Sequence, residues 1–337
     1  MTTSRAQTIS DIARLAGVSK STVSRALNDS PLIGEETKGR IRAIAEEHHF
    51  ELNEPARRLS RQRSNVAGLI MFDKTPGDYS PDLFMLELMG GIAGGLHEQG
   101  YELLMVMPSE EDSDFARRYL ASGRADGFIV LSPSCTPERL QQLVESGAPF
   151  VVWGRHAGGT RFSSVTGDNI GGGRVATEYL LETGRRRIAF VGGPEWAPEI
   201  QDRRCGYEQA LAAAGVGIDD ALIVHTPWAD AERNAAAAVA QLLDEGEIDA
   251  VVTNSDRYAI GAIDAVRSRR LSVPEDVAVV GYDDVAIAAF ASPPLTTIRQ
   301  DGALAGRLLA RTLVQQLQTG AFTDVVMPAE LVVRESA

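Results

Sequence analysis

The chain of 337 residues is 44% hydrophobic and 23% charged, with a net charge of −13, as expected of a globular protein with two or three sizeable cores. It contains no apolar run long enough to cross a bilayer, and its polar start, MTTSRAQT, is not a secretory signal. Cys135 and Cys205 lack metal-like spacing, so we expect a cytoplasmic protein without disulfides, metal or cofactor.

Two short helical patterns meet at Gly17. The first repeats apolar residues on one helical face: Ile9, Ile12, Ala13 and Ala16. The second separates an apolar face from a polar one. The apolar face comprises Val23, Ala26 and Leu27 together with Thr22, and the polar face comprises Lys20, Ser21, Ser24 and Arg25. Because Gly17 can end the first helix and Ser19 can cap the second, the segment predicts a helix-turn-helix.

The polar face of the second helix is suited to reading DNA. Recognition helices present short polar and cationic side chains to base edges, and arginine pairs well with guanine O6 and N7. An ordinary helical hairpin with a solvated face would give the same periodicity. A third helix, indicated by Thr37, Ile41, Ile44, Ala45 and His48, would complete a small headpiece.

An arginine-rich segment follows the headpiece. Four of the seven residues from Arg57 to Arg63 are arginine, and Leu59 is the one large apolar residue among them. The segment is either a solvated linker or a helix that orders on DNA. Residues 1–63 carry 11 basic and 8 acidic side chains, whereas the remainder carries 22 and 38. DNA affinity should therefore be concentrated in the basic first part and fall steeply with salt.

From residue 66 onward, short aliphatic runs alternate with amphipathic patterns. Strands are predicted at 66–72, 102–107, 127–131, 149–153, 187–191, 222–225, 250–253 and 277–281, and near Val325 and Leu331. Helices are predicted at 84–98, 112–121, 137–146, 171–183, 200–214, 231–244, 257–267 and 303–317. Such alternation is typical of parallel sheets covered by helices, an α/β fold.

About ten strands exceed a usual open sheet, so two doubly wound lobes are expected. The predicted domains are a headpiece with hinge, 1–64 (hinge about 54–63), and a core, 65–337. The N-lobe would comprise 65–163 and 300–322, and the C-lobe 164–299 and 323–337. Ligands in such folds bind at the carboxyl ends of strands, which predicts a site in the cleft between the lobes.

Six segments occur in a recognisable order: ISDIA to TVSRALN (9–28), ARRL (56–59), GDNIGGG (167–173), RRCGY (203–207), SDRYAIG (255–261), and VGYDD (280–284) followed by PPLTTIRQ (293–300). With them the chain resembles, over essentially its full length, the lactose-repressor (LacI) family of bacterial transcription regulators. The resemblance implies a periplasmic-binding-protein-like core and a homodimer whose headpieces occupy successive major grooves of a near-palindromic operator.

The resemblance also implies roles in DNA binding. Lys20 and Ser21 occupy the positions that vary with operator sequence, and Arg25 occupies a common guanine contact. Leu59, with Arg57 beside it, would insert into the minor groove at the operator centre. Residues placed for phosphate contacts or capping are Thr8, Ser19, Thr22, Ser24 and Asn28.

For the cleft, the resemblance implies that Arg203 donates to ligand hydroxyls and Asp283 accepts from them, a pairing that suits a neutral sugar. Trp228 would pack on the apolar face of a pyranose, or equally be a core aromatic. Further cleft positions are Asp82, Arg155, Ser255 and Gln300. The expected function is repression of carbohydrate-utilisation genes, controlled by a mono- or oligosaccharide.

Other functions fit the sequence less well. A purine or another small metabolite could be the effector. A periplasmic ligand-binding protein would share the core but should carry a signal peptide and no basic head. An enzyme is disfavoured because the sequence has no nucleophile elbow, Walker loop or metal cluster. The segment GDNIGGG lacks phosphate-loop spacing, so Asp168 or Asn169 is expected to cap a helix there.

Four consecutive residues in the headpiece, Glu46, Glu47, His48 and His49, could suggest a metal site. They are expected instead to form a polar helix end.

Overall fold

A computed structural model describes residues 8–27, 29–50, 63–71, 83–109, 112–131, 136–155, 162–246 and 248–337. The chain divides into two compact units, Met1–Ser64 and Asn65–Ala337. Asn28, Arg57, Leu59 and Asp82, to which the sequence assigns binding roles, lie outside the described residues. Within the described ranges, every helix is too short or too polar to span a bilayer.

In the described part of the first unit there are three helices, α1 (Ile9–Ala16), α2 (Lys20–Leu27) and α3 (Glu35–Glu47). α1 ends at Gly17, whose φ of +66° favours glycine. Ser19 caps α2 as predicted, because its Oγ accepts a hydrogen bond from the Thr22 N–H at 3.1 Å. The apolar faces of the three helices meet in a small core formed by Ile12, Ala13, Ala16, Val23, Ala26 and Ile41.

The second unit contains two six-stranded sheets, one in each lobe. The N-lobe strands are β1 (Val66–Ile70), β2 (Glu102–Val106), β3 (Gly127–Leu131), β4 (Phe150–Trp153), β5 (Ser163–Gly167) and β11 (Asp324–Met327). The C-lobe strands are β6 (Ile188–Gly192), β7 (Ile223–His225), β8 (Ala250–Thr253), β9 (Ala278–Asp283), β10 (Thr296–Arg299) and β12 (Glu330–Val332). The strand orders are β11-β5-β4-β3-β1-β2 and β12-β10-β9-β8-β6-β7. All pairings are parallel except that of β12 with β10.

Helices cover both sheets. Those of the N-lobe are α4 (Leu83–Glu98), α5 (Phe115–Ala121), α6 (Pro137–Ser146) and α11 (Gly302–Thr319). Those of the C-lobe are α7 (Asn169–Glu182), α8 (Pro198–Ala213), α9 (Ala231–Glu245) and α10 (Asp256–Ser268). α7 and α8 pack closely enough that a Cβ at Gly206 would collide with the Ile170 carbonyl oxygen. The position of α8 is therefore tied to that of α7.

The predicted lobe boundaries were wrong in two places. Strand β5 pairs with β4 and β11 pairs with β5, so residues 164–167 and 324–327 belong to the N-lobe sheet. No strand was predicted at β5, because its residues, SSVTG, are mostly small and polar, although all five are buried. Their burial is possible because Ser163 Oγ donates to Gln316 Oε1 and Ser164 Oγ to Asp324 Oδ1, each at 2.7 Å. Strand β10 was likewise not predicted.

Candidate functional site: a recognition surface and a polar cleft

Helix α2 presents Lys20, Ser21 and Arg25 to solvent, while Val23 and Ala26 are fully buried beneath them. Thr22 and Ser24 are half-buried at the border of this surface. The hydroxyls at the start of the helix are already linked, because Ser19 Oγ lies 2.7 Å from Ser21 Oγ and 2.9 Å from Thr22 Oγ1. The exposed row thus combines two cations with short hydroxyl side chains, as base-edge readers require.

Other polar groups of the headpiece hold its turns. Thr8 forms a capping box with Asp11, accepting from the Asp11 N–H at 3.3 Å, so its structural role is that of a cap. After α2, the buried Lys38 contacts Asp29 at 3.0 Å and Glu35 at 2.7 Å. Hydrogen bonds from Lys38 and Arg42 hold the pKa of Asp29 below its usual value. The charge of Lys38 is therefore compensated within the headpiece.

In the second unit, Arg203 lies buried on α8. Its Nε donates to Asn169 Oδ1 at 2.8 Å, its Nη1 donates to the Asn254 carbonyl, and its guanidinium lies 3.6 Å above the Tyr282 ring. These contacts fix the plane of the guanidinium in a site removed from bulk water. The arginine is therefore oriented before any ligand arrives, and it can offer further N–H donors.

Asp283 and Gln300 form the second part of the site, and both are buried. Gln300 Nε2 donates to Asp283 Oδ1 at 2.8 Å. Asp283 has a φ of +106°, an uncommon conformation for a residue other than glycine, which often marks a functional position. Gln300 Oε1 also lies so near Gly167 that a Cβ there would collide with it, and the Gly167 carbonyl accepts from Asn169 Nδ2 at 3.3 Å. Because Asn169 Oδ1 accepts from Arg203, the structure brings the predicted residues Arg203, Asp283 and Gln300 to one polar site.

Asn169, Asn254 and Gln300 follow the ends of β5, β8 and β10, and Asp283 ends β9, so the site lies at the carboxyl ends of strands from both sheets, the position predicted for a ligand. Several polar atoms there are buried without a hydrogen-bond partner. They are Asn254 Oδ1, Gln300 Oε1, Tyr282 O–H, Trp228 Nε1 and His225 Nε2. An unpaired buried polar atom costs roughly 1–3 kcal/mol, so a ligand that pairs with several of them gains affinity. The mixture of donors and acceptors suits hydroxyl groups, which both donate and accept.

The other predicted cleft residues have partners within the protein. Trp228 packs so closely on Gly193 that a Cβ there would lie 2.7 Å from the indole, and it also contacts the C-lobe core. Ser255 caps α10, accepting weakly from the Tyr258 N–H at 3.5 Å. Arg155 Nε donates to Asp202 Oδ2 at 2.6 Å. Each of these three side chains therefore already makes contacts within the protein.

Four residues of the site were not predicted as ligand contacts: Asn169, Asp202, Asn254 and Tyr282. Three of them lie at or just beyond the ends of β5, β8 and β9, and this position could have identified them. The prediction that Asp168 or Asn169 caps a helix is confirmed for Asp168, whose Oδ1 accepts from the Gly171 N–H at 2.8 Å. Asn169 instead orients Arg203.

A separate cavity of about 690 Å³ lies in the N-lobe beside the end of β2 and α5. Its lining includes Met107, Asp112, Tyr119 and Arg118, and Arg118 is paired with Asp112. None of the predicted effector residues lines it. The polar site at the ends of the strands is the better candidate, because several buried polar atoms without hydrogen-bond partners lie there.

Behind the cleft, Asp256 is a buried carboxyl group at the start of α10. It accepts hydrogen bonds from Thr297 Oγ1 at 2.5 Å and from the Val285 N–H at 2.8 Å. Burial raises its pKa from 3.8 to about 7, against the opposing effect of the two hydrogen bonds. Asp256 thus joins β10 and the loop after β9 to α10.

We expect the replacement Asp256→Asn to flatten the pH dependence of stability. In the wild type the folded state keeps the Asp256 proton up to about pH 7, whereas the unfolded state releases it above pH 3.8. Raising the pH between these values therefore favours unfolding, by on the order of 2 kcal/mol between pH 5 and 7.5. Chemical denaturation at both pH values measures the difference. Asp264→Asn, an exposed change on the same helix, should behave as the wild type.

Comparison with known proteins identifies relatives over the whole chain. The family model described as bacterial regulatory proteins, lacI family, matches residues 8–53, and the periplasmic binding protein-like domain matches residues 177–337. The HTH-type transcriptional regulator CelR of Thermobifida fusca is 35% identical over 98% of both chains. The HTH-type transcriptional regulator AglR of Rhizobium meliloti (strain 1021) is 32% identical over 97% of this chain and 93% of that one.

Among solved structures, a transcriptional regulator CelR-cellobiose complex has 33% identity and a TM-score of 0.74, covering 98% of this chain and 100% of that chain. The relatives named here are transcriptional regulators rather than enzymes. The order of motifs, the helix-turn-helix unit and the two parallel-sheet lobes all agree with these matches. The chain belongs to the lacI family of bacterial regulatory proteins and is a DNA-binding transcriptional regulator.

Proposed function

We propose that this regulator is a cytoplasmic repressor of carbohydrate-utilisation genes whose operator affinity is controlled by a small sugar bound between its lobes. The main support is the set of buried, unpartnered donors and acceptors around Arg203 and Asp283, which matches the chemistry of hydroxyl groups. The similar CelR structure in complex with cellobiose also favours a sugar.

In this proposal, Arg203 donates to the sugar hydroxyls and Asp283 accepts from them, while Trp228 packs on the apolar face of the ring. Further proposed contacts are Asp82, Arg155, Ser255 and Gln300. A sugar can shift operator affinity only by binding two lobe arrangements with different affinity. The sugar-bound arrangement would be the one with weaker affinity for the operator.

On the DNA side, Lys20, Ser21 and Arg25 would read base edges in the major groove. The proposed phosphate contacts are Thr8, Ser19, Thr22, Ser24 and Asn28, which position the headpiece without reading sequence. Arg57 and Leu59 would act in the minor groove.

The proposed test combines sugar binding and DNA binding on the full chain. An operator is first selected from random duplexes, and a thermal-shift screen then compares mono- and disaccharides, including cellobiose, with purine bases. A sugar at 100 times its Kd should stabilise the folded protein by about 2.7 kcal/mol, and the same sugar should release the selected operator. The proposal would be contradicted if only purines stabilised the protein, or if none of the sugars did.

We propose further that the protein acts as a homodimer, matching a near-palindromic operator. Phe290 in the C-lobe is 86% exposed and Ile287, three residues earlier, is 43% exposed, so two large apolar side chains are exposed within one short segment. In the N-lobe, the edge strand β2 and the residues after it expose Met105 and Met107. Apolar surfaces on both lobes therefore favour contact with a second copy.

The replacement Phe290→Glu should weaken the dimer, because a charge would have to be desolvated in the interface. Sedimentation at micromolar concentration should show monomer, and affinity for the selected operator should fall at least tenfold. Ile218→Glu, at another exposed apolar residue of the C-lobe, is the matched control and should remain dimeric. A dimeric Phe290→Glu protein would place the interface elsewhere.

A further inference from the structure

One ion pair connects the two lobes beside the proposed effector site. Arg155 lies in the N-lobe, two residues after the end of β4, and Asp202 lies in the C-lobe on α8, next to Arg203. Arg155 Nε donates to Asp202 Oδ2 at 2.6 Å. The side chains are 39% and 13% exposed, so the pair sits at the edge of the cleft, within reach of solvent ions. A short charge-assisted hydrogen bond of this kind is stronger than a neutral one.

Both ends of the pair are anchored to their lobes. Before Arg155, the Gly154 N–H donates to the Val165 carbonyl at 2.9 Å, which joins the end of β4 to β5. Asp202 lies on α8, and the close contact of α8 with α7 at Gly206 leaves no space for the two helices to slide past each other. A change in the distance between the lobes must therefore change the distance between Arg155 and Asp202.

We propose that Arg155 and Asp202 form an interlobe clamp that stabilises the closed arrangement and so sets effector affinity and the threshold of release from DNA. This inference rests on the proposed function, because the clamp would regulate the proposed effector site. The clamp is an alternative to the direct sugar contact proposed above for Arg155, because the effect of a clamp requires Asp202 equally. It also predicts that binding of an uncharged sugar weakens at high salt, since ions screen the partly exposed pair.

The test is a double-mutant cycle in the full chain with Arg155→Gln, Asp202→Asn and both together. The probe is the panel sugar with the largest thermal shift, with cellobiose tried first, and its Kd is measured by calorimetry at 50 and 500 mM salt. Each single change should raise the Kd about fivefold, and the double change should raise it no further. The salt dependence of the Kd should disappear in all three variants.

A matched control tests whether the effect is specific to the interlobe position. Arg204 and Glu208 lie on the same helix and form a pair of the same length, 2.6 Å between Nε and Oε1, but within the C-lobe. Glu208→Gln should leave the Kd and its salt dependence unchanged. Melting temperatures of all variants without sugar show whether the lobes remain folded.

Three results would overturn the clamp. The first is an Asp202→Asn protein with wild-type affinity, the second is single effects that multiply in the double variant, and the third is equal salt dependence in all proteins. The first two would indicate that Arg155 contacts the sugar independently of Asp202. A wild type that binds no sugar at all would refute the proposed function itself, and the clamp with it.

Discussion

Replacing Arg203 with methionine should abolish the response of DNA binding to sugar while preserving operator binding without sugar. Charge-assisted hydrogen bonds contribute about 1.5–3 kcal/mol each, so losing one or two of them should weaken sugar binding about 100-fold. Methionine fills much of the volume above the Tyr282 ring and so limits the cavity left by the guanidinium. Calorimetry with the sugar, and titration of the selected operator with and without it, measure the two effects.

Arg204→Met is the matched control, because Arg204 is the next residue on the same helix but pairs with Glu208 and Glu195 near the surface. We expect its sugar affinity to stay within twofold of wild type. The melting temperature of the Arg203→Met protein must also be measured, since Arg203 orders Asn169 and the Asn254 carbonyl in the absence of ligand. A normal sugar response in the Arg203→Met protein would place the effector site elsewhere.

The fold was largely predictable where a strand is apolar along its whole length. The residues of β3, GFIVL, and β8, AVVT, are fully buried between helices, so a continuous apolar run identified both strands with correct bounds. Strands β5 and β10 are buried too, but they satisfy serine and threonine hydroxyls through distant partners such as Gln316 and Asp256. Such pairing depends on the folded arrangement of both segments, so no local pattern reveals it.

The candidate site was predictable to a similar extent. Arg203, Asp283 and Gln300 were identified by resemblance, and the structure places them together. The cap at Ser255 was accessible to local reasoning, because a serine before a helical pattern is a common N-cap. The partner of Arg155 was not accessible, since Asp202 lies 47 positions away in the other lobe. Contacts between lobes depend on how two separately folded sheets are joined.

The replacement Arg25→Ala should remove most of the preference for the selected operator over random DNA. A bidentate arginine contact to guanine contributes about 1–3 kcal/mol of discrimination, and a dimer would lose two such contacts, so specificity should fall by at least about 30-fold. The headpiece itself should remain folded. Arg25 is exposed, its backbone carbonyl still accepts from the Ser30 N–H, and alanine is the better helix former.

Arg14→Ala provides a control that removes the same charge from the same headpiece. Arg14 lies on α1 with 79% of its side chain exposed, beside Asp11 at 3.6 Å, and outside the recognition surface of α2. Its loss should weaken binding to operator and random DNA to the same small extent, because only a general electrostatic attraction is reduced. Titrations of both DNAs at two salt concentrations separate these effects. If Arg25→Ala instead lowered both affinities equally, Arg25 would be a phosphate contact, and the reading of bases would have to come from Lys20 and Ser21.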